Sequence, residues 1–178
     1  MLWPFNHFRK SRASSRGTIE AIYGMIVTQA REPLFYQTLR VPDTVDGRFD
    51  MILLHLWIAL SRLKRRDDKE LPQALFDHFC SDMDANLREM GVGDLTVPKR
   101  MQALGEAFYG RSAAYDRAVA EGREPLAEAL DKNIYNGRDI DSARRLADYV
   151  AEAIAAPAGD NEATPGGGVQ FPDLAQRT

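Results

Sequence analysis

The sequence predicts an all-α protein, a single-domain bundle of about six or seven helices with flexible termini. From residue 18 onward, large apolar side chains recur every three or four residues, which is the period of a helix with one buried face. No segment shows the sustained alternation that predicts a sheet. A chain of 178 residues is long enough for one domain with a substantial core. We therefore expect a flexible basic and aromatic leader (1–17), a helical domain (18–156) and a flexible tail rich in Gly and Pro (157–178).

The overall composition excludes several classes of protein. Charged residues make up 28% of the chain and the net charge is −3, so nothing indicates specific nucleic-acid binding. The single cysteine, Cys80, cannot form an intrachain disulfide and fits a reducing compartment, where we expect an inert, partly buried thiol. The longest apolar run, Met51 to Leu60, is about half of the roughly 18–20 residues that span a bilayer. A soluble or membrane-surface protein is expected.

The first sixteen residues contain bases and aromatics but no acid. Three interpretations are open: a disordered leader, a membrane-surface anchor, and an organelle transit peptide. An anchor would place its aromatic rings at the lipid boundary and its bases near anionic head groups. The candidate membrane-surface residues are Trp3, Phe5, Phe8, Arg9, Lys10 and Arg12.

The first three helices follow from caps, prolines and apolar spacing. Thr18 is a candidate cap for a helix that ends near Arg31, and Pro33 begins a short helix that stops before Pro42. The next helix is apolar on nearly every side from Met51 to Leu60, which predicts burial around most of its circumference. It is either the central helix of the bundle or partly covered by a partner. Its Trp57 is accordingly either a core residue or an interface anchor.

The stretch Gly91-Val92-Gly93 follows a helix that begins near Pro72. A dinucleotide site needs a strand before its glycines and a third glycine, and both are missing here. We therefore expect a hinge between two helices, with Gly91 as the cap beyond the first of them.

The helix from Thr96 to about Glu121 has two faces of interest. Small residues recur at steps of four, three and four, and this stripe predicts close packing against another helix; it comprises Ala103, Ala107, Gly110 and Ala114. On the apolar face, Arg111 lies between Phe108 and Tyr115. Its guanidinium must reach solvent, pair with a carboxylate, or meet an acceptor on a partner.

Motifs for catalysis or metal binding are not evident. The three histidines are too scattered for a zinc pair, and His55 is expected to be a hydrogen-bonded core residue. Haem ligation by His55 or His78 stays open, although no C-x-x-C-H motif supports it. We predict no catalytic residue, no metal and no cofactor. Two further helices close the domain, and the stretch "VQFPDL" within the tail is a candidate docking element.

Four stretches resemble, in order and spacing, the ubiquinol–cytochrome c chaperone family. They are "FDMILLHLWIALSRL", "LPQALFDHFCSDMDANLREMGVGDLTVPKRM", "GEAFYGRSAAYDRA" and "LAEALDKNIYNG", and the resemblance extends from about Ile19 to Asp148. It implies an all-helical, non-catalytic assembly factor for the cytochrome bc1 complex. The implied client is newly made cytochrome b or another bc1 subunit. A small partner protein, the ribosome, self-association and peripheral membrane contact are further implied possibilities.

The resemblance transfers no defined set of contact residues, so the candidates come from side-chain chemistry. Those for partner or client binding are Trp57, Gly91, Gly93, Arg100, Phe108, Tyr109, Arg111 and Tyr115. The short leader suggests a bacterial member, located in the cytoplasm or peripherally on the inner membrane, or on the matrix side in a eukaryote. The alternatives are a helical enzyme or lipid-binding protein of quinone or isoprenoid metabolism, and a general helical adaptor.

Overall fold

A computed structural model describes residues 5–65, 70–156 and 169–174, with side chains from residue 16 onward. The described residues form seven helices and no strand, which confirms the all-α prediction. The helices are α1 (Phe5–Ala30), α2 (Pro33–Gln37), α3 (Val45–Leu63), α4 (Glu70–Glu89), α5 (Val97–Glu121), α6 (Arg123–Ile134) and α7 (Ile140–Ala155). None of the described helices combines the length and apolarity needed to cross a membrane.

Helix α1 begins earlier than the sequence predicted. It starts at Phe5, so Thr18 lies inside the helix and does not cap it. No Pro or Gly interrupts the chain between Phe5 and Arg16, and the basic, Ala- and Ser-containing sequence is compatible with helix. The candidate membrane-surface side chains, from Trp3 to Arg12, lie outside the described ones, and their role stays a prediction. Of the tail expected to be flexible (157–178), residues 157–168 and 175–178 also fall outside the described residues, and their flexibility stays a prediction.

Helix α3 is the centre of the bundle, as one of the two alternatives predicted. It packs against α1, α4, α6 and α7, and 12 of its 19 residues are buried. Its first turn is fixed by Thr44, whose Oγ1 accepts a hydrogen bond of 3.0 Å from the Gly47 N–H. A Cβ at Gly47 would lie 2.0 Å from the Pro42 carbonyl oxygen. The turn before α3 can therefore pack this closely on the helix only if position 47 is glycine.

Helices α4 and α5 form an antiparallel hairpin closed by Gly91. The Gly91 N–H donates to the Arg88 carbonyl at 2.9 Å, and the Val92 N–H donates to the Leu87 carbonyl at 3.0 Å. With φ at 81° for Gly91, this is a Schellman C-terminal cap. The predicted hinge and cap are confirmed.

The C-terminal segment (residues 169–174) returns to the bundle after α7. Val169 and Leu174 belong to the buried core, with 2% and 5% of their surface exposed. The Gln29 amide donates to the Pro172 carbonyl at 3.4 Å, and Arg62 donates to the Gln170 carbonyl. The candidate docking element therefore packs on α1 and α3.

Candidate functional site

The α4–α5 hairpin presents large apolar side chains to solvent. We call residues 87–101 the hairpin tip. Within it, Met90 is 78% exposed and Leu95 is 97% exposed. Leu87, Val92 and Met101 are partly exposed. Exposed apolar side chains grouped at one end of an element are typical of an interaction surface.

Charged side chains surround the apolar groups of the hairpin tip. Arg88 Nε lies 2.6 Å from Asp84 Oδ2, and Arg88 also pairs with Asp94 in the loop. Lys99 and Arg100 are exposed at the start of α5. The tip thus combines apolar contact groups with a charged rim.

An aromatic cluster lies nearer the base of the hairpin. The Phe76 ring centroid is 5.2 Å from that of Phe108 and 5.5 Å from that of Tyr109. Phe108 is buried and Tyr109 is 62% exposed. The cluster joins α4 to α5 and leaves one face of Tyr109 available to a partner.

Arg111 pairs with Asp50, which selects one of the three alternatives that its position allowed. The ion pair joins α5 to α3, and the two side chains are 27% and 16% exposed. Burial raises the pKa of the Asp50 carboxyl, and the hydrogen bond and charge of Arg111 act in the opposite direction. An open cleft of about 490 Å³ lies beside the pair, bordered by Asp46 and Lys132.

Trp57 and Tyr115 lie in the core. The Trp57 Nε1–H donates to Asp116 Oδ1 at 2.8 Å, and its ring centroid lies 5.1 Å from that of Tyr115. Their exposed fractions are 4% and 3%. Burial raises the pKa of the Tyr115 hydroxyl. They therefore join α3 to α5 within the core and are not available to a partner.

His55 is a hydrogen-bonded core residue, as predicted. Its Nδ1 lies 2.8 Å from the Met51 carbonyl, which can only accept, so Nδ1 carries the hydrogen. Its Nε2 lies 2.9 Å from the Tyr149 hydroxyl, which donates to it. Both ring nitrogens are thus engaged within the protein. In the part of the chain that the structure describes, no group of three or more His, Cys, Asp or Glu side chains is arranged to hold a metal ion.

His78 and Cys80 lie on α4, near its contact with α1. The His78 ring packs edge-on against Tyr23 with centroids 5.0 Å apart, and the Tyr23 hydroxyl donates to Asp82 at 2.7 Å. Cys80 is partly buried, and burial raises the pKa of its thiol. This agrees with the inert thiol that the sequence predicted.

The small-residue stripe of α5 is mostly exposed, so the prediction that it packs closely against another helix was wrong for the described residues. Ala103, Ala107 and Gly110 are exposed, and Ala114 is partly exposed. A methyl group at Gly110 would meet no atom of the described residues within 4 Å. The core-facing side of α5 is instead the one that contains Phe108, Tyr115 and Ala118.

The eight candidate partner-binding residues thus fall into two groups. Gly91, Gly93, Arg100 and Tyr109 are exposed along the hairpin, whereas Trp57, Phe108 and Tyr115 are buried and Arg111 is half-buried. Met90 and Leu95 were not predicted from the sequence as surface groups. Leu95 carried a signal, because it is an aliphatic residue in a loop, between the glycines and Pro98.

A family model for ubiquinol-cytochrome C chaperones matches residues 37–158. The chain belongs to this chaperone family. The crystal structure of the Cbp3 homolog from Brucella abortus is 36% identical in sequence and superposes with a TM-score of 0.83, over 95% of this chain and 96% of that one.

This chaperone-family member also resembles curated relatives, but the similarity covers a smaller share of those proteins than of the Brucella abortus structure. Ubiquinol-cytochrome-c reductase complex assembly factor 1 of Xenopus laevis is 27% identical over 125 residues, which is 67% of this chain and 62% of that protein. The Homo sapiens protein is 28% identical over 124 residues, or 67% of this chain and 42% of that protein. Protein CBP3, mitochondrial, of Saccharomyces cerevisiae is 29% identical over 109 residues, 58% of this chain and 32% of that protein. The chain spans about half the length of the curated relatives it matches.

Proposed function

We propose that this chain is a non-catalytic assembly factor of the cytochrome bc1 (ubiquinol–cytochrome c reductase) complex, which binds newly made cytochrome b. The family match and the names of the relatives support the link to this complex. The observation that carries the proposed mechanism is the exposed apolar surface of the α4–α5 hairpin, centred on Met90 and Leu95. For its location we propose the cytoplasmic or matrix side of the inner membrane, in peripheral contact with it.

The chemistry of the hairpin tip suits an apolar client. A membrane subunit outside the bilayer exposes aliphatic and aromatic side chains, and covering them removes apolar surface from water. Methionine is unbranched and polarisable, so Met90 and Met101 can adapt to client side chains of varied shape. The charges of Arg88, Lys99 and Arg100 at the rim would favour one orientation of the bound client. They would contribute little to the apolar area that is buried.

The candidate residues take different roles in this proposal. Met90, Leu95, Arg100 and Tyr109 would contact the client directly, because their side chains are exposed. Gly91 and Gly93 shape the loop between the two helices. The buried candidates, Trp57, Phe108 and Tyr115, together with the Arg111–Asp50 pair, hold α5 in place beneath the contact surface.

A pair of variants with a matched control tests the proposal. We expect Met90→Ser combined with Leu95→Ser to weaken client binding by roughly tenfold or more, the loss typical of interface anchors. The fraction of cytochrome b found in assembled bc1 complex, measured by native gels with haem staining, should fall accordingly. The free energy of unfolding should stay within about 0.5 kcal/mol of wild type, since the two side chains are exposed.

Val45 provides the control, because it is an aliphatic residue that is 85% exposed in the first turn of α3 and is not part of the hairpin tip. Val45→Ser should leave assembly unchanged. A photo-crosslinking residue at position 95 should capture cytochrome b in cells, and the same residue at position 45 should not. Equal assembly in the hairpin and control variants, or equal capture at both positions, would contradict the proposed surface.

A further inference from the structure

The C-terminal segment contacts the bundle in the way that a bound peptide contacts its receptor. Val169 and Leu174 are buried anchors, and the Phe171 ring meets the edge of His55 with centroids 5.0 Å apart. Side chains of the bundle donate to its main-chain carbonyls, Arg62 to Gln170 and Gln29 to Pro172. Apolar pockets combined with hydrogen bonds to the peptide backbone are the two parts of a peptide-recognition site.

The floor beneath this segment is polar as well as apolar. His55 and Arg62 are 0% and 1% exposed with the segment in place. The Tyr149 hydroxyl also lies there, bonded to His55. Water can solvate all three groups when they are uncovered, so removing the segment would not leave a purely apolar cavity. Such a floor tolerates both a covered and an open state.

The groove extends beyond the segment. Leu174 borders an open cleft of about 380 Å³ between α2 and α7, which is also bordered by Leu34, Leu39, Arg145 and Tyr149. Residues 169–174 therefore fill only part of the available surface. A longer peptide could place its anchors where Val169, Phe171 and Leu174 lie and continue into the cleft.

We propose that the groove formed by Gln29, His55, Arg62 and Tyr149 is a binding site for an extended peptide of a partner protein. The preferred peptide has an aliphatic residue, an aromatic residue two positions later and an aliphatic residue three positions after that, the spacing of Val169, Phe171 and Leu174. The C-terminal segment occupies the groove in cis and competes with the partner. This site lies on a face other than the α4–α5 hairpin, and the proposal does not depend on what the hairpin binds.

The test is direct binding of a fluorescein-labelled peptide with the sequence of residues 167–176, measured by fluorescence anisotropy on the full chain. In a variant with Val169→Asp and Leu174→Asp, the segment cannot dock, because two carboxylates would be buried. If the segment is docked in about nine molecules of ten, releasing it raises the apparent affinity for the added peptide about tenfold. A peptide with Ser at the positions of Val169, Phe171 and Leu174 should not bind.

Gln170→Ala serves as the matched control, because its side chain is exposed and its main-chain carbonyl, which accepts from Arg62, is retained. This variant should bind the peptide as weakly as wild type. Amide NMR shifts should place the bound peptide next to His55 and Tyr149. Three results would overturn the proposal: no increase in affinity in the Asp variant, peptide shifts elsewhere on the protein, or unfolding of both the Asp variant and Phe171→Ala. The last result would show that the segment is an inseparable part of the core.

Discussion

At the scale of single residues, His55 is the clearest case of a polar group whose surroundings fix its chemistry. It is completely buried, and the loss of hydration lowers its pKa to about 4. Its two hydrogen bonds, to the Met51 carbonyl and the Tyr149 hydroxyl, are those of a neutral ring. The native protein therefore keeps this histidine neutral at pH values where an exposed histidine is protonated.

We expect the buried His55 to make the protein less stable as the pH falls from 7 to 5. The unfolded chain takes up a proton near pH 6.5, whereas native His55 stays neutral down to about pH 4. The stabilisation is thus complete above pH 6.5 and is lost as the pH falls toward 4. The free energy of unfolding should decrease by about 2 kcal/mol between pH 7 and pH 5 from this group.

Urea unfolding at pH 7, 6 and 5 measures this dependence. His55→Phe should remove most of the decrease, although it lowers stability at pH 7 by leaving the Tyr149 hydroxyl without its acceptor nitrogen. His78→Gln, on the partly exposed side of α4, should retain the decrease. The same pH dependence in wild type and His55→Phe would refute the assignment.

Among the candidate site residues, side chains with distant partners were the ones that the sequence could not place. The period of α5 put Arg111 on an apolar face, but its partner Asp50 lies 61 positions earlier. Trp57 and Asp116 are 59 positions apart. Residue spacing describes one helix at a time, whereas these contacts depend on how α3 and α5 cross. Features that depend only on neighbouring residues, such as the left-handed glycine at position 91, could be predicted from the sequence.

At the scale of secondary-structure elements, the residues that end helices were predicted more reliably than the faces by which helices pack. Gly91 and the Asn136-Gly137 turn require left-handed backbone, and the structure has φ values of 81°, 56° and 70° at these positions. The start of α1 was placed too late because Gly17 and Thr18 are residue types typical of a helix boundary, although both lie inside the helix. The stripe from Ala103 to Ala114 was misassigned because small residues permit close packing but do not compel it.

Gly91 and Gly93 allow a controlled test of the cap at the end of α4. Gly91→Ala forces a Cβ into left-handed backbone and should lower the free energy of unfolding by about 1–2 kcal/mol. Gly93 does not have a positive φ, and a methyl group there would meet no described atom within 4 Å. Gly93→Ala should stay within about 0.5 kcal/mol of wild type. Thermal unfolding compares the two variants; equal destabilisation would mean that Gly91 is not needed for its conformation.

At the scale of the whole molecule, stability is distributed unevenly. Helix α3 is enclosed by other helices, whereas the hairpin tip is surrounded mainly by solvent. Local opening is easiest where few apolar side chains are buried. Under the proposed function, local opening of the hairpin tip would let it adapt to a client while the centre of the bundle stays folded.

Native-state hydrogen exchange should reveal this difference. We expect amides in the middle of α3, from Leu53 to Leu60, to exchange only through global unfolding. Amides of the hairpin tip, including the capped Val92, should exchange through local opening with lower free energy and weaker dependence on denaturant. Protection of the tip equal to that of α3 would mean that the hairpin opens only with the whole bundle.

The crowded turn before α3 also has a use in evolutionary comparison. At 27–29% identity to the curated animal and yeast proteins cited above, the placement of gaps in an alignment is poorly determined by sequence alone. Gly47 is a reference position for such an alignment, because the Pro42 carbonyl oxygen leaves no room for any larger residue. A homologue aligned with a side chain at this column either has been shifted by the alignment or has rebuilt the entry to its central helix.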